Sequence, residues 1–197
     1  DETLAEFDNI KIVNEDVLKV DLHKLIGEEF AGMPVAVCAN LPYYITSPII
    51  MSLLEARLPI VSLTVMVQKE AAQRLCAAPG SREVGAVSIA VQYYSQPQVL
   101  FQVSRGSFMP SPDVDSTVIR LDVRQQPPVQ LKKEEDFFRV VKATFSQRRK
   151  TLPNTLSAGL AIPKQQALDL LERAGVASNL RAEQLSMQQF ADIANAL

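Results

Sequence analysis

A chain of 197 residues, 47% hydrophobic and 21% charged, can bury a core of one or two domains. Its apolar runs fall short of the roughly 20 residues a membrane span needs, so no membrane partner is expected, and no basic-then-apolar leader marks a signal peptide. The net charge of −2 conceals an asymmetry: residues 1–126 hold 10 basic and 15 acidic side chains, whereas residues 127–197 hold 10 basic and 7 acidic, a balance that suits an anionic partner for the second segment.

The opening "DETLAEFDN" lacks a methionine and reads as the last turns of a helix, so an upstream portion is expected. "NIKIV" (Asn9–Val13), "PVAVCA" (Pro34–Ala39) and "IVSLTVMVQ" (Ile60–Gln68) are rich in β-branched residues and read as strands, the last two buried. Between the second and third, "TSPIIMSLLEAR" reads as a helix with Thr46 or Ser47 as cap and Pro48 at an early position. "KEAAQRLCAA" reads as a helix stopped by Pro79-Gly80, and "GAVSIAVQYYS" as another. "QVLFQV" and "STVIRLDV" close the series as a strand pair around a long loop. This alternation implies an α/β fold with a mainly parallel sheet and helices on both faces.

"RQQPPVQLKKEED" reads as a linker, and helices alone follow it. "EEDFFRVVKATFSQRRK" is amphipathic, acidic at its start and basic at its end; "PKQQALDLLERAGV" stops at Gly175; "LSMQQFADIANAL" is capped by Ser186. The expected domains are residues 1–124, a linker at 125–133 and an all-α domain at 134–197. Cys38 and Cys76 lie in apolar context and read as reduced core thiols of a cytosolic protein. The lone His23 argues against a histidine metal site or a histidine-based triad, and no metal is expected.

The chemistry concentrates in "CANLPYYITSPII" (Cys38–Ile50). In open α/β sheets ligands bind beyond the carboxyl ends of strands, and Asn40 falls at such an end. Its amide oxygen accepts hydrogen bonds at any working pH. Pro42 fixes its own φ and holds Leu41 extended, so backbone carbonyls here can point at a ligand. Tyr43 offers a flat face. Two acceptors gripping the hydrogens of an aromatic amine such as adenine would favour a pyramidal nitrogen, whose freed lone pair attacks an electrophilic methyl group. Positioning and electrostatics would dominate such a reaction. The same residues also suit an ordinary strand-to-helix turn with proline as helix starter.

"NLPYYITSPII", "VMVQKEAAQRL", "PGSREVGAVSIAVQYY", "GSFMPSPDVDSTVIRL" and "FSQRRKTL" occur in that order. Together they resemble the ribosomal RNA adenine dimethyltransferases that modify small-subunit RNA, the kasugamycin-sensitivity dimethyladenosine transferases. The resemblance spans essentially the whole chain. It implies a Rossmann-like methyltransferase sheet followed by a small all-α domain, S-adenosyl-L-methionine as methyl donor, and dimethylation of two adjacent adenines in small-subunit RNA during ribosome biogenesis. It also implies a cytoplasmic, monomeric enzyme whose partner is the assembling small ribosomal subunit. Asn40 and the Leu41 and Pro42 carbonyls would bind the target amine, and Tyr43 and Phe108 would sandwich the flipped base. Asp16, with Val17, would meet the cofactor's adenine amine, and Asn40 would also border the cofactor. Without the resemblance, Phe108 reads as a core or loop residue and Asp16 as a solvated cap.

The family's Gly-rich cofactor loop and its ribose-binding acid are not found: no two of the seven glycines have G-x-G spacing. The expectation is therefore a chain lacking the first strands, and by itself inactive. Gln147, Arg148, Arg149 and Lys150 read either as dipole compensation at a helix end or as phosphate contacts to structured RNA; the family favours the second. Pro153 is expected to end or kink that helix at Leu152. The alternatives are a macrolide-resistance methylase acting on large-subunit RNA, or an assembly factor with this fold and no activity.

Overall fold

The computed structural model describes residues 6–197, so much of the helix expected at the opening lies outside them. Helix α1 (Leu22–Phe30) leads into strand β1 (Val35–Asn40), α2 (Thr46–Glu55), β2 (Ile60–Gln68), α3 (Lys69–Leu75) and α4 (Ala86–Tyr94). Strands β3 (Ser95–Val103) and β4 (Ser116–Val123) follow, then four helices: α5 (Glu134–Phe145), α6 (Leu152–Leu160), α7 (Lys164–Arg173) and α8 (Met187–Asn195).

The four strands form one sheet in the order β1-β2-β4-β3. Only β1 and β2 are parallel, joined by the α2 crossover that a parallel pair requires. β4 runs antiparallel to both β2 and β3. The sheet is therefore mixed, where the alternation of elements suggested a mainly parallel one. The reason is that β3 and β4 form a hairpin across residues 104–115, which turns β4 back against β2.

Asn9–Val13 forms no strand. Ile10, Ile12 and Val13 are exposed, and among the described residues no ladder takes up their backbone groups. β-branched composition favours a strand only where a neighbour completes it. Strand β1 alternates faces with period two, and Cys38 falls on the exposed one, so it is no core thiol. Cys76 is half-buried, and burial pushes its thiol up to about 11.

Helix boundaries differ from expectation in instructive ways. Thr46 and Ser47 do not cap α2; Thr46 is its first residue and donates its hydroxyl back to the Pro42 carbonyl at 3.1 Å. α3 ends at Leu75, short of Pro79-Gly80. α5 stops at Phe145, leaving residues 146–150 in turns. Pro153 then sits in the first turn of α6, where a missing N–H costs nothing, and so starts a helix where it was expected to end one. Ser186 does cap α8, accepting from the Gln189 amide at 3.2 Å while the Gln189 side chain accepts from Ser186 N–H at 3.0 Å.

Two apolar clusters hold the fold. One packs α2 and α3 on the sheet through Ile50, Leu63, Leu75, Ile119 and Leu121. The other joins Phe137, Leu156, Leu170 and Phe190 of the last helices to Val84, Ile89 and Tyr93 of the α4 region. Fully burying each such side chain contributes roughly 1.5–3 kcal/mol. The helical segment thus has no core separate from α4. A polar cluster reinforces the same junction: the hydroxyls of Tyr93 and Tyr94 each donate to Glu134 at 3.0 Å, and Glu134 pairs with Arg57. The Arg57 guanidinium also lies over the Tyr94 ring, 5.7 Å from its centre.

Candidate active site

The register brings four strand ends to one edge of the sheet: Asn40 stands opposite Met66, and Ser116 opposite both Gln68 and Val103. Two loops rise from this edge. One is Leu41–Ile45, after β1; the other is Ser104–Asp115, between β3 and β4.

The first loop is anchored at its start. Leu41 is 7% exposed, and its N–H donates to the Met66 carbonyl at 3.3 Å. With that anchor in place, Asn40, the last residue of β1, leaves its side chain exposed at the strand's carboxyl end. Pro42 is extended (φ −60°, ψ 130°), as its ring and position require. Its carbonyl is not open to a ligand, because it accepts from Ile45 N–H at 3.2 Å and from the Thr46 hydroxyl. Among the described residues the Leu41 carbonyl accepts no hydrogen bond. The three acceptors expected are thereby narrowed to two, Asn40 Oδ1 and the Leu41 carbonyl.

Tyr43 is half-buried, and its hydroxyl lies 2.8 Å from Oγ of the fully buried Ser116. That contact fixes the ring from its far end, whereas Tyr44 beside it is 85% exposed. Ser116 stands inside the "DVDSTVIRL" block; its contact was invisible because register with Gln68 and Val103, not local pattern, brings it within reach of the Tyr43 hydroxyl.

The second loop carries Phe108, half-buried just past a short 3-10 turn, with its N–H donating to the Arg105 carbonyl at 3.3 Å. Arg105 organises the loop. Its N–H donates to Asp115 Oδ1 at 3.0 Å, its guanidinium to the Asp113 carbonyl at 3.2 Å, and its carbonyl accepts from the Ser111 hydroxyl at 2.9 Å. Tyr43 and Phe108 rise from the same sheet edge, but their rings are not in contact.

Asp16 and Val17 are not brought to Asn40 by any hydrogen bond or ion pair. Asp16 Oδ1 accepts from Leu18 N–H at 3.1 Å, its carbonyl accepts from Lys19 N–H at 2.8 Å, and Val17 is exposed. Asp16 caps a local turn and keeps its second carboxylate oxygen 3.8 Å from the exposed Lys19 ammonium.

Gln147, Arg148, Arg149 and Lys150 border a shallow cavity of about 300 Å³ in the turn between α5 and α6. Arg148 is partly committed elsewhere: its guanidinium donates to the Val84 carbonyl at 2.6 Å and the Arg82 carbonyl at 3.2 Å, tying the helical segment to the α3–α4 connection. Among the described residues Arg149 and Lys150 make no ion pair.

The model of the family described as ribosomal RNA adenine dimethylase matches residues 1–197. The chain belongs to that family. It is 50% identical over 197 residues to the ribosomal RNA small subunit methyltransferase A of Alkaliphilus oremlandii, covering 100% of this chain and 69% of that protein. It is likewise 50% identical over 200 residues to the protein of the same description from Geobacillus thermodenitrificans, covering 100% of this chain and 68% of the relative. Among solved structures, a dimethyladenosine transferase from Plasmodium falciparum superposes with a TM-score of 0.79 at 24% identity, covering 98% of this chain and 74% of the other. The 23S rRNA methyltransferase ErmE does so with a TM-score of 0.71 at 24% identity, covering 100% and 75%. These two likenesses establish the Rossmann-like methyltransferase fold.

Proposed function

We propose that this member of the ribosomal RNA adenine dimethylase family methylates, twice each, the 6-amino groups of two adjacent adenines in small-subunit ribosomal RNA. The observation that carries the reading is the Asn40–Tyr43 loop at the carboxyl edge of the sheet, with one free backbone acceptor and an anchored aromatic ring beside a free amide. The 50% identical relatives described as small subunit methyltransferases favour the small-subunit substrate.

In the first transfer to each base Asn40 Oδ1 and the Leu41 carbonyl accept the two hydrogens of the adenine amine, and in the second the remaining hydrogen of the methylated amine is held by one of them. Gripping both draws the nitrogen toward a pyramidal shape and localises its lone pair, which the neutral amine otherwise shares with the ring. Tyr43 holds one face of the base, worth roughly 1–3 kcal/mol per stacked base, and Phe108 closes on the other. After attack the nitrogen carries a positive charge, which the two acceptors stabilise until its proton passes to water. No side-chain base of shifted pKa is needed for that step.

The methyl donor in this account is S-adenosyl-L-methionine, which supplies a methyl group on a positively charged sulfur. The residues present fit two portions of it: the Asp16 carboxylate, exposed and held only by the Leu18 N–H and the distant Lys19 ammonium, suits an adenine amine beside Val17, and Asn40 borders both cofactor and target. Arg149 and Lys150 contact RNA phosphate, and Gln147 and Arg148 shape the same turn. The partner is the assembling small ribosomal subunit in the cytoplasm, met by a monomeric protein; no helix among the described residues is long and apolar enough to cross a membrane.

The test is transfer of labelled methyl from S-adenosylmethionine by the full-length protein to undermethylated small subunits, read by chromatography of the digested RNA. Label in dimethyladenine of the small-subunit RNA is the expected result. Label confined to large-subunit RNA, or none with subunit binding intact, would overturn the assignment.

A further inference from the structure

A separate cavity of about 510 Å³ opens on the same sheet edge, between the start of α3 and the Arg105 loop. Its size lies within the range of small-ligand sites. It adjoins the adenine loop through a short chain of contacts. Gln68, at its wall, pairs with Ser116, which holds Tyr43; Asp115, also at its wall, accepts Lys69 N–H at 3.0 Å.

The lining is chemically mixed. Lys69 makes no ion pair among the described residues, and Arg105 spends only one guanidinium N–H, on the Asp113 carbonyl. Glu70 and Asp113 add carboxylates, Gln68 and Gln73 add amides, and Val114 adds an apolar face. A bare anion would meet the carboxylates, and an apolar ligand would leave the charges unpaired. A nucleotide satisfies all of them. Its phosphate takes the cations, its ribose hydroxyls donate to the carboxylates, and a glutamine amide matches the adenine 6-amino and N7 edge in bidentate fashion.

We propose that this cleft holds the nucleotide adjoining the target, which for a pair of adjacent adenines is the other adenine. The assignment rests on the adenine-methylating reading of the neighbouring loop. It gives the enzyme a place to keep one adenine while the other reacts, with Gln73 reading the base and Lys69 and Arg105 taking the phosphate.

The test measures affinity of the full-length protein carrying Asn40→Ala, which removes chemistry from the readout, for a small-subunit hairpin with the adjoining adenine intact or replaced by an abasic residue. Loss of that base should weaken binding by roughly tenfold, the scale of one bidentate contact. Adding Gln73→Ala should reduce the penalty to about twofold or less, whereas adding Lys69→Ala should weaken both RNAs by a similar factor. An unchanged penalty in the Gln73→Ala protein overturns the proposal. So does equal affinity for both RNAs, or variants that lose subunit association without losing hairpin affinity, which would mark a protein contact. Methyl transfer by the protein without these substitutions is read in parallel. Transfer without the coupling removes the cleft assignment alone; coupling without transfer removes the catalytic reading and leaves the cleft as an RNA site.

Discussion

The Tyr43 hydroxyl meets the Ser116 hydroxyl at 2.8 Å, across 73 residues of sequence, and Ser116 is wholly buried. One contact therefore links the loop after β1 to the first residue of β4, at the foot of the loop that carries Phe108. Breaking it should loosen the ring without unfolding the sheet. Ser116→Ala and Tyr43→Phe should each lower kcat/KM for RNA by about threefold to tenfold, the scale of one net hydrogen bond. The double variant should be little worse than either single one. Fully additive losses in steady-state kinetics would show that the two hydroxyls act separately.

At the turn after α5, Arg148 is bound to backbone carbonyls whereas Arg149 and Lys150 make no ion pair among the described residues. Arg149→Glu with Lys150→Glu should flatten the salt dependence of RNA binding, the log–log slope falling by roughly one for each phosphate no longer neutralised, and leave the melting temperature near its original value. Arg148→Ala should instead lower the melting temperature, because it releases the Val84 and Arg82 carbonyls. Differential scanning calorimetry and filter binding at several salt concentrations separate the two. A salt slope unchanged by the Arg149 and Lys150 reversals would remove them from the RNA interface.

The junction between sheet and helices should weaken in alkali. Burial, with a smaller contribution from the Glu134 hydrogen bond, pushes the Tyr93 hydroxyl up to about 12, and raises Tyr94 from its usual range for the same reasons. A raised folded pKa means that stability is fully present below the unfolded value near 10 and is lost as pH climbs through the folded value. The urea midpoint should thus hold to about pH 10 and fall between there and about 12. Tyr93→Phe with Tyr94→Phe should remove most of that fall. A parallel fall in the variant would place the sensitivity elsewhere.

Gly159 on α6 sits hard against α5. A Cβ added there would lie 2.5 Å from both Cα and Cβ of Ala143, which is closer than packed atoms tolerate. Gly159→Ala should destabilise the protein by about 1–3 kcal/mol through overpacking, read as a lowered urea midpoint. An unchanged midpoint would mean that the two helices shift apart without cost.

Much of this was legible in the chain itself. Apolar periodicity and turn residues located α2, β2, α4, the closing hairpin and the helical tail, because those segments carry their own burial pattern. The sequence also placed Asn40 at a strand's carboxyl end and Tyr43 in the loop after it, which is where they stand, although β1 buries only Val35 fully and not the whole strand expected. What local pattern could not supply was anything set by partners far along the chain. Asn9–Val13 has strand composition and, among the described residues, no neighbouring strand, so it forms none. Cys38 sits among apolar residues, yet strand parity turns it outward. Ser116, Arg105 and the committed Pro42 carbonyl depend on register and loop closure. Arg148 looked like its two cationic neighbours until its carbonyl partners, 64 and 66 residues away, were in place.

The central claim is that Asn40 grips the amine of the target adenine, and single-turnover methyl transfer by the full-length protein carrying Asn40→Ala tests it most directly. The amide makes a contact needed mainly as charge develops, so transfer should fall by about 100-fold or more. Hairpin affinity and melting temperature should stay within about twofold and a degree or two of the original, since the Asn40 side chain is exposed. Transfer at an undiminished rate would contradict the account.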